Sequence, residues 1–337
     1  MDKVAYLRRN SGKEEITGQG ETAGGGPSPK RGERDRFMVV NDTLAWRAAV
    51  FAIGLFFLAP FLPARAQNAA QQGSAQSVTA SDAPVVLVPH RAIYDLSLGQ
   101  TRGDSQIAGV SGRIVYDFGG NACQGYSLDF RQVSELNTGE GKVSTSDLRS
   151  TTWEGGDAKS FKFASQNFVD QNLVDSVDGR AEHDATKTAV GLDKPRPKSL
   201  DLDPGVVFPT EHMIRAIKAA RSGKTILDFP VYDGSDTGDK VFNTLTVIGR
   251  KIAPDERRHD DAAANEPKLA SVPRWPVTIS YFDKAKSEDS GEQTPVYSIG
   301  FELYENGISR DLTLDYNDFV VDGKLTSLEV KDQKPCP

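Results

Sequence analysis

Cysteine is scarce in this chain, and so are the other makings of a reactive site. Two thiols, Cys123 and Cys336, among 337 residues are too few for a thiolate metal site. The four histidines are scattered, with no second histidine or carboxylate at a ligand spacing, so His90, His183 and His212 read as satisfied or exposed side chains. A cationic excess is also missing: 40 Lys and Arg stand against 47 Asp and Glu, which argues against nucleic acid or anionic headgroups as partners. The "GVSGR" around Ser111 lacks the glycine spacing of a nucleophile elbow and lies in an alternating stretch. "DGSDTGDKVFNT", from Asp233, has glycine at its sixth place but Thr244 at its twelfth, where a calcium loop needs a bidentate glutamate; it reads as an acidic hairpin. No catalytic residue, metal or cofactor is expected.

No apolar run reaches the roughly 20 residues that a helical membrane span needs. The nearest, Ala48 to Leu62, is fifteen residues long, is closed by Pro60 and Pro63, and leads into "PARAQ". Ala64 and Ala66 there frame an A-x-A cleavage signal. Residues 1–66 are therefore expected to be a signal peptide cleaved near Ala66, with an over-long N-terminus in which Met38 is an alternative true start. The exported chain would begin near Gln67 with a net charge of −10. Residues 67–83 are small and polar and read as a disordered lead-in, and residues 84–337 as a single domain.

An exported chain meets oxidising conditions, and no third thiol competes for Cys123 or Cys336. A disulfide between them is the natural reading. Between the two cysteines the period is two. In "IVYDF" Ile114, Tyr116 and Phe118 share a face, and in "YSLDFRQ" Tyr126, Leu128 and Phe130 do. Similar runs recur to the end of the chain, with "FGGN", "DGR", "ENG" and "VDGK" as turn candidates because Gly, Asn and Asp tolerate positive φ. Strands at this density predict an antiparallel meander that must curl or close. Its last strand, "KLTSLEVKD", is expected at an exposed edge that Cys336 would pin.

One segment breaks the alternation. "PTEHMIRAIKAARSG", from Pro209, predicts the one helix, with Thr210 as N-cap, Glu211 in the first turn, Ile214 and Ile217 on a stripe with Met213 and Ala220, and Gly223 beyond the end. It would plug the concave face of the curled sheet or, alternatively, form a lid or groove wall that moves for a ligand, and Met213, Ile214 and Ile217 are the candidate cavity residues. The charged, alanine-rich stretch 255–268, within a longer loop at 253–272, reads as a solvated mobile loop.

Several of these stretches occur together and in order: "VLVPHRAIYDLSL", "SGRIVYDF", "VFPTEH", "FPVYDGSDTGDKVFNTLTVIG" and "DYNDFVVDGKLTSLE" before the final "CP". The set resembles the EipB-like family of α-proteobacterial periplasmic cell-envelope-integrity proteins over nearly all of residues 84–337. The resemblance implies a mainly β fold: a long antiparallel sheet wound into an open β-spiral or half-barrel around one central helix, closed by a disulfide between Cys123 and Cys336, and similar to periplasmic lipoprotein carriers. It also implies a periplasmic, non-enzymatic role in envelope integrity. The first expectation is action through contacts with an unidentified periplasmic envelope protein. The alternative is a carrier of a lipid or lipoprotein acyl chain in the spiral cavity, and an envelope-polymer hydrolase has the weakest support.

Overall fold

The computed structural model describes residues 83–139, 141–256, 260–284, 293–333 and 336. The expected signal peptide and the lead-in up to residue 82 lie outside the described residues. The remainder forms one sheet of fourteen strands, every neighbouring pair antiparallel.

The first eight strands run as a meander. They are β1 (His90–Thr101), β2 (Ile107–Asn121), β3 (Gly125–Thr138), β4 (Lys142–Glu154), β5 (Ser160–Val169), β6 (Asn172–His183), β7 (Thr188–Lys194) and β8 (Lys198–Leu202). Helix α1 (Pro209–Arg221) follows, and then a second meander: β9 (Ile226–Val231), β10 (Phe242–Ile248), β11 (Arg274–Asp283), β12 (Tyr297–Tyr304), β13 (Ser309–Asp315) and β14 (Phe319–Val330). The two meanders join where β1 pairs with β14, so the sheet ends at β8 and β9 and does not close by strand pairing. Its open seam is filled by the chain near the helix. Val207 forms a parallel bridge with Val231, the Tyr232 hydroxyl donates to the Gly238 carbonyl at 2.6 Å, and Lys198 of β8 pairs with Asp239 of the β9–β10 connection at 2.6 Å.

The expected edge position of the last strand is overturned. β14 is paired with β1 along its length and with β13 from Val320 to Gly323. Beyond Gly323 the 3-10 turn Ala262–Asn265 packs against β14, and Lys268 of the next turn, Pro267–Leu269, donates its ammonium to the Val330 carbonyl at 3.0 Å. The expectation of a solvated loop over 255–268 is corrected in part: residues 257–259 lie outside the described residues and Asp255, Asp260, Ala264, Asn265, Pro267 and Lys268 are exposed, but Asp261 and Ala263 are drawn into the fold. Ala263 and Leu269 are buried in the same core cluster as Leu325 of β14, and Asp261 pairs at 2.6 Å with the fully buried Arg310. The charges that made this stretch look solvated include the partner of an interior arginine.

Three of the expected turns fall within strands: "FGGN" closes β2, and "DGR" and "VDGK" lie inside β6 and β14, whereas "ENG" does turn the chain, with Gly307 at φ 87°. Gly323 serves close packing: a Cβ there would stand 3.0 Å from the Leu312 Cβ, tighter than neighbouring strands allow. At the end of β2, buried Asn121 accepts hydrogen bonds from the backbone N–H groups of Cys123 and Gln124, both at 2.9 Å. That side chain fixes the hairpin that carries the first cysteine.

The candidate ligand cavity

The period-two pattern places alternate side chains of each strand on the concave face, and the register sorts them into tiers. Nearest the β2–β3 hairpin lie Phe118, Leu128, Thr152 and Phe163; next come Tyr116, Phe130, Ser150 and Ser165. The third tier holds Ile114, Gln132, Leu148, Asn167 and Asp175. Polarity therefore rises away from the hairpin. The second meander contributes Ile279, Ile299 and Phe301 and a run of stacked rings from Tyr281 to Tyr297 to Tyr316, with centroids 5.2 and 5.8 Å apart. Together these surfaces enclose a cavity of about 430 Å³.

Helix α1 forms one wall. Pro209, His212, Met213 and Ala216 line the cavity, while Ile217 points away from it and is fully buried among Phe118, Tyr126, Trp275 and Leu303. Ile214 packs at the margin of that cluster and does not line the cavity. Of the three candidate residues, Met213 alone reaches the space, because the helix presents one stripe to the cavity and the next to the core.

The expected Thr210 cap does not form. Pro209 occupies the first turn, Phe208 is the N-cap, and no side chain of that position bonds the helix. Instead Glu154, the last residue of β4, accepts hydrogen bonds from the backbone N–H groups of Thr210 and Glu211 at 2.7 and 2.8 Å. A carboxylate suits the positive end of the helix. Burial nevertheless dominates and pushes the Glu154 pKa up to about 7, against the lowering effect of the two N–H donors. At the other end Gly223 takes φ 74°, and Lys224 donates to the Ala219 carbonyl at 2.9 Å, the left-handed stop that glycine permits.

The three histidines among the described residues are structural. His212 shares a 3.0 Å hydrogen bond with the Thr246 hydroxyl, and burial, with Arg215 nearby, lowers its pKa to about 4. It faces the cavity as a neutral ring. His183 bonds Thr188 at 2.7 Å and stacks on Phe208 at 4.3 Å. His90 donates through Nδ1 to the Val88 carbonyl at 2.8 Å and stacks on Tyr116. The connection after β9, expected as a plain acidic hairpin, folds over the cavity so that Asp233, Gly234, Ser235 and Asp236 line it. A Cβ at Gly234 would collide with the Phe163 ring.

Cys123 and Cys336 are joined, their Cα atoms 5.7 Å apart. The bond crosses the entrance of β1, where Lys331 donates its backbone N–H to the Pro89 carbonyl at 2.9 Å and its ammonium pairs with Asp117.

This architecture and these residues have counterparts among known proteins. The model of the EipB-like family matches residues 81–332. The cell envelope integrity protein EipB of Brucella abortus (strain 2308) is 42% identical over 260 residues, which are 77% of this chain and 90% of that relative. A crystal structure of a beta-barrel-like protein of domain of unknown function DUF1849 from Brucella abortus superposes with a TM-score of 0.67 at 42% identity, covering 74% of this chain and 100% of the other. With a family match across most of its length and a relative of that identity, the chain belongs to the EipB-like family.

Proposed function

We propose that this chain is exported to the periplasm, loses residues 1–66, and maintains the cell envelope as a non-enzymatic binding protein that holds the acyl chain of a lipid or lipoprotein. The cavity carries this reading. At about 430 Å³ it falls within the size range of small-molecule sites, and its walls are mainly aromatic and aliphatic. Each methylene moved from water into such walls gains about 0.8 kcal/mol, so a chain of about ten carbons can outweigh the cost of immobilising it. The name of the Brucella relative supplies the setting, and the disulfide suits an oxidising compartment. Polar groups that could have suggested catalysis are committed elsewhere: Glu154 caps the helix and His212 bonds Thr246.

A second reading, action through protein contacts, has its own support. β9 ends the sheet, and beside that edge the cross-strand neighbours Ile226 and Val247 are 62% and 46% exposed, with Leu245 on the same face. A partner strand could add there. Native mass spectrometry of protein recovered from its own periplasm separates the two. The cavity reading expects a non-covalent adduct with the mass of an acyl-bearing molecule. A stable complex with another protein and no lipid mass would replace it with the second reading.

A further inference from the structure

If the cavity is an acyl-chain site, its polar groups restrict what may be attached to the chain. The charged side chains among the described residues that line it are all carboxylates: Asp175, Asp233 and Asp236. Lys240, which pairs with Asp236, is held between that carboxylate and Asp283. Asp233 faces the tyrosine run, and its charge adds to burial in raising the hydroxyl pKa values of Tyr281 and Tyr297. In the third tier Asn167, 8% exposed, has its Oδ1 buried without a hydrogen-bond partner among the described residues, and Ser235 Oγ is likewise unpartnered. A buried acceptor left unpaired costs about 1–3 kcal/mol, a cost that a ligand donor would remove.

We propose that the cavity selects an amphiphile whose polar end donates hydrogen bonds and carries no negative charge: a chain ending in an amine, an amide or a hydroxyl, and not a free fatty acid or a phosphate. The selection has two physical parts. An anionic end finds no lysine or arginine lining the cavity among the described residues and is repelled by Asp175 and Asp233. An amine or amide end meets carboxylate and amide oxygens beside tyrosine rings, and a cation gains further from the ring faces. The acyl chain of a lipoprotein, linked through neutral amide and ester groups, fits this rule, and so does an amine-bearing lipid.

The inference rests on the cavity reading, and one titration distinguishes their failures. Laurate, dodecanamide and dodecylamine share a chain length and differ at one end. Calorimetric titration of each into the mature protein at pH 7.5, below micelle formation, should give amide and amine affinities at least about tenfold above laurate, the ratio that one modest charge repulsion produces. Asp233→Asn should narrow the amine-to-laurate ratio. Asp175→Asn, at an exposed position where folding is not at stake, should narrow it too. Laurate binding as tightly as dodecylamine, or ratios unmoved in both variants, would overturn the head-group rule and leave the cavity reading intact. Binding of none of the three would overturn both.

Discussion

Cys336→Ser should cost this protein more stability than almost any other exposed substitution. The bond spans a sequence separation of 213. On the loop-closure account, the entropy it removes from the unfolded chain is about 18 cal/mol/K, or about 5 kcal/mol at 25 °C. The folded state has little to lose with it. β14 remains laddered to β1, Lys331 remains bonded to Pro89 and paired with Asp117, and Gln333 Nε2 still reaches the Leu87 carbonyl at 3.5 Å. The loss therefore falls on the unfolded ensemble. For a domain of this size about 2–4 °C of melting temperature accompanies each kcal/mol, giving a fall of roughly 10–20 °C. The unfolded variant is also more expanded, so its urea m-value should rise. Cys123→Ser should match Cys336→Ser, and the double variant should equal either, since all three remove one bond. Scanning calorimetry with and without reductant, and urea titrations of the three variants, test this. A wild-type melting temperature that ignores reductant would refute the reasoning, and a lower m-value in the variants would place the loss in the folded state instead.

Three further outcomes are expected. Ile217→Asp places a charge without a partner in a site that is fully buried; the cost of several kcal/mol should unfold the domain or lower its melting temperature by more than 10 °C (roughly 2–4 °C per kcal/mol), and an unchanged melt would rule out the helix as core plug. Glu154 has its folded pKa raised from 4.5 to about 7, so the folded state holds a proton that the unfolded state has released. Stability should accordingly fall as pH rises through that window, by up to about 3 kcal/mol, and Glu154→Gln should flatten the melting temperature between those pH values; an identical slope in both proteins would count against it. Asp261→Ala leaves Arg310 buried without its 2.6 Å partner and should cost about 3 kcal/mol, with Arg310→Met in the same chain restoring much of it in a urea double-mutant cycle.

The β content, the single helix among the described residues and the paired cysteines are legible because each has a local signature: period two, one 3.6-period stripe, and two thiols with no competitor. The strand order is not. Nothing near "KLTSLEV" announces that it will pair with "RAIYDLSL", more than two hundred residues earlier, and a glycine inside a strand has the same letter as a glycine in a turn. Met213 was within reach because its stripe was legible. Glu154 was not, since a carboxylate at a strand end becomes a helix cap only when the fold carries it there. The cavity tyrosines and Asn167 were readable as one face of their strands, but which end of that face would stay open depends on the crossing of two meanders. The loop at 260–269 misled for a related reason: Ala263 and Leu269 are buried in one cluster with Leu325 of β14, and the loop's charges say nothing of that contact.

The pairing of the first strand with the last also sets a timetable. His90 stands opposite Val330, so the central ladder cannot form until the chain has been made as far as β14. Long-range pairing of this kind is slow because loop closure must precede any gain from contact. A nascent chain that has reached β13 holds two meanders with no seam between them, and neither can bury its concave face. Such a chain becomes a half-barrel only after its last strand arrives.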